Sequence, residues 1–260
     1  MSLAHHRAGA GEPLVLVHGT GSQWQAFGPV LDPLAAHRDV IAPDLPGYGD
    51  SPPFAPETPH TPRAFAEAVA GLLDELGFRD PHVAGFSLGG GIAYELGLLG
   101  RARSVTAISP IGFWTPLEAA YCRASVRATR ALARALLPAA PLLLSSAAGR
   151  TMLASQVSAR PWRANAADML EATRNLASSP GFDPQVRDSL IAAYQWIEPL
   201  DVPVTIAWGT HDRLLPPRQG ERARARLAEA RHVSLPGCGH VPFADDPPLV
   251  TRVLLERSSG

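Results

Sequence analysis

Short apolar runs alternate with amphipathic stretches over the first 110 residues, the rhythm of buried strands and core-facing helices. Pro13-Leu14-Val15-Leu16-Val17 has no polar break, which suits a strand of a parallel sheet covered on both faces. Asp39-Val40-Ile41-Ala42 reads as the next strand, ended by the turn-rich loop Pro43-Asp44-Leu45-Pro46-Gly47-Tyr48-Gly49. Thr61-Pro62 opens a helix over residues 63–76, with Phe65, Val69, Leu72, Leu73 and Leu76 on one face and Gly77 as its stop. Residues 82–86 and 104–109 are two further strands, the second broken by Pro110.

From about residue 113 to 199 the strand rhythm vanishes and helical periodicity takes over. Arg123, Arg127, Arg130 and Arg134 mark one helix face, read as a solvated outer surface in preference to a membrane-binding one. We read this region as a helical cap inserted over the strand ends; a helical layer that completes the core is the alternative. Strands resume at residues 202–208 and 231–235, and a last helix begins near Asp246-Pro247 with Leu249, Val250, Val253 and Leu254 inward. The expected fold class is α/β: a mostly parallel sheet with helices on both faces and an inserted helical cap. The core is expected in two parts, residues 1–112 and 199–260, separated by a cap at 113–198.

At 260 residues and 46% hydrophobic, the chain can bury a sizeable core. A formal charge of −1 gives no support for nucleic acid or an anionic membrane as partner. Every one of the 23 basic residues is arginine, which excludes a P-loop lysine, a Schiff-base lysine and a Ser-Lys dyad. Cys122 and Cys238 form neither a disulfide framework nor a zinc spacing, and no metal or cofactor motif stands out. The first residues lack the apolar core of a signal peptide, so the expected compartment is the cytoplasm. The uncharged stretch 135–149 is too short to span a bilayer and carries Pro138 and Pro141, so no stable membrane insertion is expected.

The chemistry centres on Gly85-Phe86-Ser87-Leu88-Gly89, set between a strand and a helical stretch. An abrupt strand-to-helix turn projects the central serine outward, and glycines two residues either side remove colliding Cβ atoms. A serine hydroxyl needs a neighbouring base, and an imidazole with an unperturbed pKa of about 6.5 suits that work. His240, in a glycine-flanked loop after the last strand, is the candidate base; His211 is the competitor and reads as a surface residue. Asp212 follows a strand end and completes the order Ser, acid, His expected of such a turn. Among other acids, Asp44 reads as a loop-bonding residue, Asp245 and Asp246 as caps of the last helix, and Asp201 as lying at the wrong strand end. Oxyanion donors are expected from the N–H of Leu88, aided by the helix dipole, and from the N–H of Thr20, with Ser22 a weaker nominee. His18 is expected to orient its loop, Trp24 and Phe27 to pack, and Cys238 to be a neutral packed thiol.

Together His18-Gly19-Thr20-Gly21-Ser22, Asp44-Leu45-Pro46-Gly47-Tyr48-Gly49-Asp50-Ser51, Gly85-Phe86-Ser87-Leu88-Gly89-Gly90, Trp208-Gly209-Thr210-His211-Asp212 and Gly239-His240 resemble the α/β-hydrolase superfamily. The resemblance implies a cap after the family's sixth strand and a Ser87, Asp212 and His240 triad. It implies a cofactor-independent serine hydrolase acting on a small-molecule carboxylic ester through an acyl-enzyme. The leucine, alanine and tryptophan content of the cap favours an apolar acyl or alcohol part. Carbon–carbon bond hydrolases, haloperoxidase-like esterases, lactonases and thioesterases resemble it too; family members with an aspartate nucleophile, such as epoxide hydrolases, fit less well. A non-catalytic ligand-binding member is the alternative of a different class. Only about a dozen residues precede the His18 strand where the family has two strands, so the first is expected to be missing or very short.

Overall fold

The computed structural model describes residues 2–256. Among them seven strands form one sheet: β1 (His5–Ala8), β2 (Pro13–Val17), β3 (Asp39–Pro43), β4 (His82–Phe86), β5 (Ser104–Ile108), β6 (Val204–Gly209) and β7 (Arg231–Leu235). Their order is β1-β3-β2-β4-β5-β6-β7, parallel throughout except for the β1–β3 pair. β4 is central, with Val17 opposite Gly85 and Phe86 opposite Ile108.

Successive side chains of a strand leave opposite faces, and both faces are buried here. Val15 and Val17 join one apolar cluster with Ile41, Val83 and Val105, covered by α2 (Pro62–Glu75) and α3 (Leu88–Leu98). Leu14 and Leu16 join the other with Val40, Ala84 and Ile108, covered by α1 (Gly28–Ala35) and by a C-terminal helix, Pro247–Leu255. Thr61 caps α2 as expected, its hydroxyl accepting the Ala64 N–H at 3.2 Å.

One strand, not two, precedes β2. β1 is four residues of mixed burial paired antiparallel at the sheet edge, where Arg7 forks onto Asp39 at 2.9 and 2.7 Å. Its sequence, His5-His6-Arg7-Ala8, carries no apolar run, so pattern reading passes over it. α1 is passed over as well, because Pro29 and Pro33 lie within its eight residues.

Between β5 and β6 the chain is helical: α4 (Pro116–Leu136), α5 (Ala140–Ser145), α6 (Ala147–Ala154), α7 (Ala166–Ser178) and α8 (Phe182–Asp188). α9 (Arg218–Arg226) follows β6, and the C-terminal helix is α10. The arginine row of α4 is not one solvated face. Arg130 is buried, with its guanidinium over the Phe182 ring, donating to Ser179 O at 2.8 Å and paired with Asp183 at 2.9 Å. Arg134 donates to Ala177 O at 2.8 Å. These arginines fasten α4 to the segment around α7 and α8, which periodicity alone does not reveal.

The start of α4 is fastened to the core through Glu118. Thr115 and Glu118 form a reciprocal capping box, and the buried Glu118 carboxylate also accepts from Arg218 at 2.5 Å and from Arg222. Glu118→Ala should lower unfolding free energy by about 2 kcal/mol, the buried-pair cost reduced by the exposure of Arg218. Urea denaturation of the variant against the parent measures it; an unchanged midpoint would mean the capping box and ion pairs contribute nothing.

Candidate active site

Ser87 is the single residue between β4 and α3, at φ 56 and ψ −120, a region that L-residues avoid. Such backbone strain costs of order 1–3 kcal/mol and persists only where surroundings fix it. Here the Ser87 N–H donates to Ile108 O at 3.0 Å, and the Ser87 carbonyl accepts from Gly90, Gly91 and Ile111 N–H at 3.1, 3.3 and 3.2 Å. The flanking glycines are required by backbone contact more than by each other's side chains. A Cβ on Gly85 would lie 2.2 Å from the Gly89 carbonyl oxygen, and one on Gly89 would lie 2.0 Å from Val17 O.

The loop after β2 lies directly against this turn: a Cβ on Gly19 would stand 3.0 Å from Ser87 Cβ. Among the described residues, the N–H groups of Leu88 and Thr20, the two nominated oxyanion donors, have no acceptor. His18, fully buried, sets that loop. The Leu45 N–H donates to its Nε2 at 2.9 Å, which puts the ring proton on Nδ1, 2.9 Å from Gly19 O. Burial pushes its pKa down to about 4, so it stays neutral near pH 7, in line with an orienting role. Asp44 bonds its loops as expected, accepting from Trp24 and Asp50 N–H at 2.9 and 3.1 Å; burial pushes its pKa up.

Asp212, in the loop after β6, is buried and held by two backbone donors, Leu214 and Leu215 N–H, at 2.9 and 2.8 Å to Oδ1. Its Oδ2 lies 2.8 Å from Nδ1 of His240, which is itself buried. An imidazole held this way keeps Nδ1 protonated and leaves Nε2 as acceptor. Among the described residues His240 Nε2 and the Ser87 hydroxyl each make no hydrogen bond. All three side chains follow C-terminal strand ends, of β4, β6 and β7, the edge where ligands meet open parallel sheets. His211 is exposed beside the Thr210 hydroxyl, and Asp201 is exposed ahead of β6.

Asp246 caps α10, accepting the Leu249 N–H at 3.1 Å, but Asp245 does not. Asp245 is fully buried and accepts four bonds: Ser158 Oγ at 2.6 Å, and the N–H groups of Ala159, Arg160 and Gly239 at 3.0, 2.7 and 2.8 Å. The Val241 N–H adds a bond to Val157 O at 2.7 Å. The His240 loop is thus stitched to residues 157–160 of the helical segment. Sequence distance hid this role, since Asp245 sits where a helix cap belongs. Cys238 is buried, and burial together with Asp245 and Asp246 pushes its thiol up to about 11. It is the neutral packed thiol expected.

Residues 14–253 match the Alpha/beta hydrolase family. The chain belongs to that family. Over 196 residues it is 32% identical to epoxide hydrolase EphH of Mycobacterium tuberculosis, covering 73% of this chain and 91% of that one. It is 28% identical to lipase 3 of a Moraxella species, over 90% of this chain and 73% of the relative. The solved esterase of Thermogutta terrifontis superposes with a TM-score of 0.71 at 21% identity, over 97% and 91% of the two chains. The protein is a hydrolase of this fold. Among the described residues no helix is long and apolar enough to cross a membrane, and no group of three or more His, Cys, Asp or Glu could hold a metal ion.

His18 makes stability pH-dependent. Its folded pKa lies below its unfolded one, so the unfolded chain binds a proton first as pH falls. Stability is full above about pH 6.5 and declines toward pH 4, by about 3 kcal/mol in all from this residue. Urea midpoints across that range should fall less steeply in His18→Gln; parallel profiles would assign the acid sensitivity elsewhere. Asp245→Ala strands several buried N–H groups and should cost about 3 kcal/mol or more. A thermal midpoint within a degree of the parent's would refute the clamp.

Proposed function

We propose that this hydrolase cleaves small carboxylic esters through an acyl-enzyme on Ser87, with His240 as base and Asp212 as its orienting acid, and needs no cofactor. The observation that carries the reading is the 2.8 Å Asp212–His240 pair, on the strand-end edge where the strained Ser87 turn also lies. Ser87 Oγ attacks the carbonyl carbon while His240 Nε2 takes its proton, and Asp212 stabilises the imidazolium that forms. Charge on the carbonyl oxygen falls to the unpaired N–H groups of Leu88 and Thr20, each worth roughly a hundredfold in rate. The tetrahedral centre collapses as His240 returns the proton to the leaving alcohol. Water, deprotonated by the same imidazole, then attacks the acyl-enzyme, and Ser87 leaves with its proton restored.

We assign residues 113–198 as a cap over this site. Leu176 and Phe182 from it reach Gly21, the neighbour of Thr20, which supports an apolar acyl or alcohol part in the substrate. Buried Ser87, Asp212 and His240 beneath such a roof would react away from bulk water. Serine at the nucleophile position also separates this chain from the aspartate-dependent epoxide hydrolases it resembles.

A fluorophosphonate probe should label the parent and leave Ser87→Ala unlabelled. Turnover of p-nitrophenyl butyrate should drop about a thousandfold or more in Ser87→Ala and His240→Ala. Comparing acetate, butyrate and octanoate esters should show kcat/KM rising with acyl length. A parent that neither labels nor turns over any of them is no serine esterase.

A further inference from the structure

The outward strip of α4 is apolar. Leu117, Tyr121, Ala124, Ala128, Leu132 and Ala135 recur at the three- and four-residue spacing of one helix face, and all six are exposed. Leu117 is 80% exposed, and Tyr121 and Leu132 nearly half. The opposite face, with Ala119, Cys122, Arg130 and Ala133, is the one that packs inward. A surface helix ordinarily spreads charges across its outward face, whereas this one keeps them off the strip. Its exposed or half-exposed arginines, Arg123, Arg127 and Arg134, lie along the flank between the two faces.

Other elements of the helical segment also expose large apolar side chains. Leu142 on α5 is 79% exposed, Met152 on α6 61%, and Trp162 just beyond α6 49%. Arg150 ties these elements together, donating to the carbonyls of Leu144, Ser145 and Trp162. From residue 119 to 167 the chain has seven arginines and neither aspartate nor glutamate, although its formal charge as a whole is −1. Among the described residues only Arg130 of the seven pairs with a carboxylate.

We infer that this face of the helical segment docks on the surface of an anionic lipid bilayer, with the apolar strip in the interface and the arginines against lipid phosphates. Exposed leucine, tyrosine and alanine flanked on one side by arginines, with no acidic residue in the helix after Glu118, is the composition of a helix lying in the interfacial plane. The alternative occupant, a second copy of the chain, suits the face poorly. A second copy of the same patch brings no carboxylate from residues 119–167 to answer these arginines. Nothing in the docking spans the bilayer, and it does not depend on the ester chemistry proposed above.

Co-sedimentation of the full chain with vesicles tests this without reference to activity. Vesicles of equal phosphatidylglycerol and phosphatidylcholine should bind it at least tenfold more tightly than phosphatidylcholine alone, and 0.5 M salt should release it. Arg123→Gln and Arg127→Gln should each weaken binding about fivefold. Ala124→Glu with Ala128→Glu, both exposed helix positions, should abolish binding while the circular dichroism and thermal midpoint stay at the parent's. Equal partition on the two vesicle types, no binding to either, or undiminished binding by the glutamate variant would overturn the inference. So would a dimer in sedimentation equilibrium that the glutamate variant dissolves, since the strip would then belong to a second copy.

Discussion

The constraint on which the molecule turns is the reversal at the end of β4, completed within one residue. Everything near it concedes space. Backbone atoms of Gly89 pass so close to the Val17 carbonyl, and Gly85 so close to Gly89, that neither can bear a side chain. The strain at Ser87 survives because its amide and carbonyl are both engaged by neighbours from β5 and the loop beyond it. Central placement in a sheet buried on both faces makes that turn rigid, and rigidity is what lets a serine point one way.

Around the turn, buried polar groups divide into two kinds. His18 and Asp44 spend their hydrogen-bonding capacity on backbone amides and carbonyls, shaping the loops after β2 and β3. Asp212 is half committed in the same way, with one oxygen on Leu214 and Leu215 and the other left for His240. His240 keeps a buried ring nitrogen, Nε2, without a hydrogen-bond partner among the described residues. In a low-dielectric interior an unsatisfied acceptor is costly, and such vacancies gather where chemistry is done.

Strands rich in apolar residues are legible from residue order because burial on both faces leaves few positions for polar side chains: β2, β3, β4 and β5 fall within a residue or two of expectation. β1 and α1 were not legible, since an edge strand of two histidines and an arginine, and a helix with two prolines, owe their form to what they pack on. The Asp212–His240 contact followed from chain order and loop position. Asp245 reads as a helix cap from sequence because its partners, Ser158 to Arg160, are more than 80 residues away. The arginine row of α4 misled for a related reason: helical period says which residues share a face, never which face looks out.

The stitching of the His240 loop to residues 157–160 has a consequence for how anything enters. If residues 113–198 cap the site as proposed, that seam acts as a hinge line and the cap lifts from the side opposite it. On that proposal entry belongs to the margin away from β7, and a shift along the seam would carry the His240 imidazole with it.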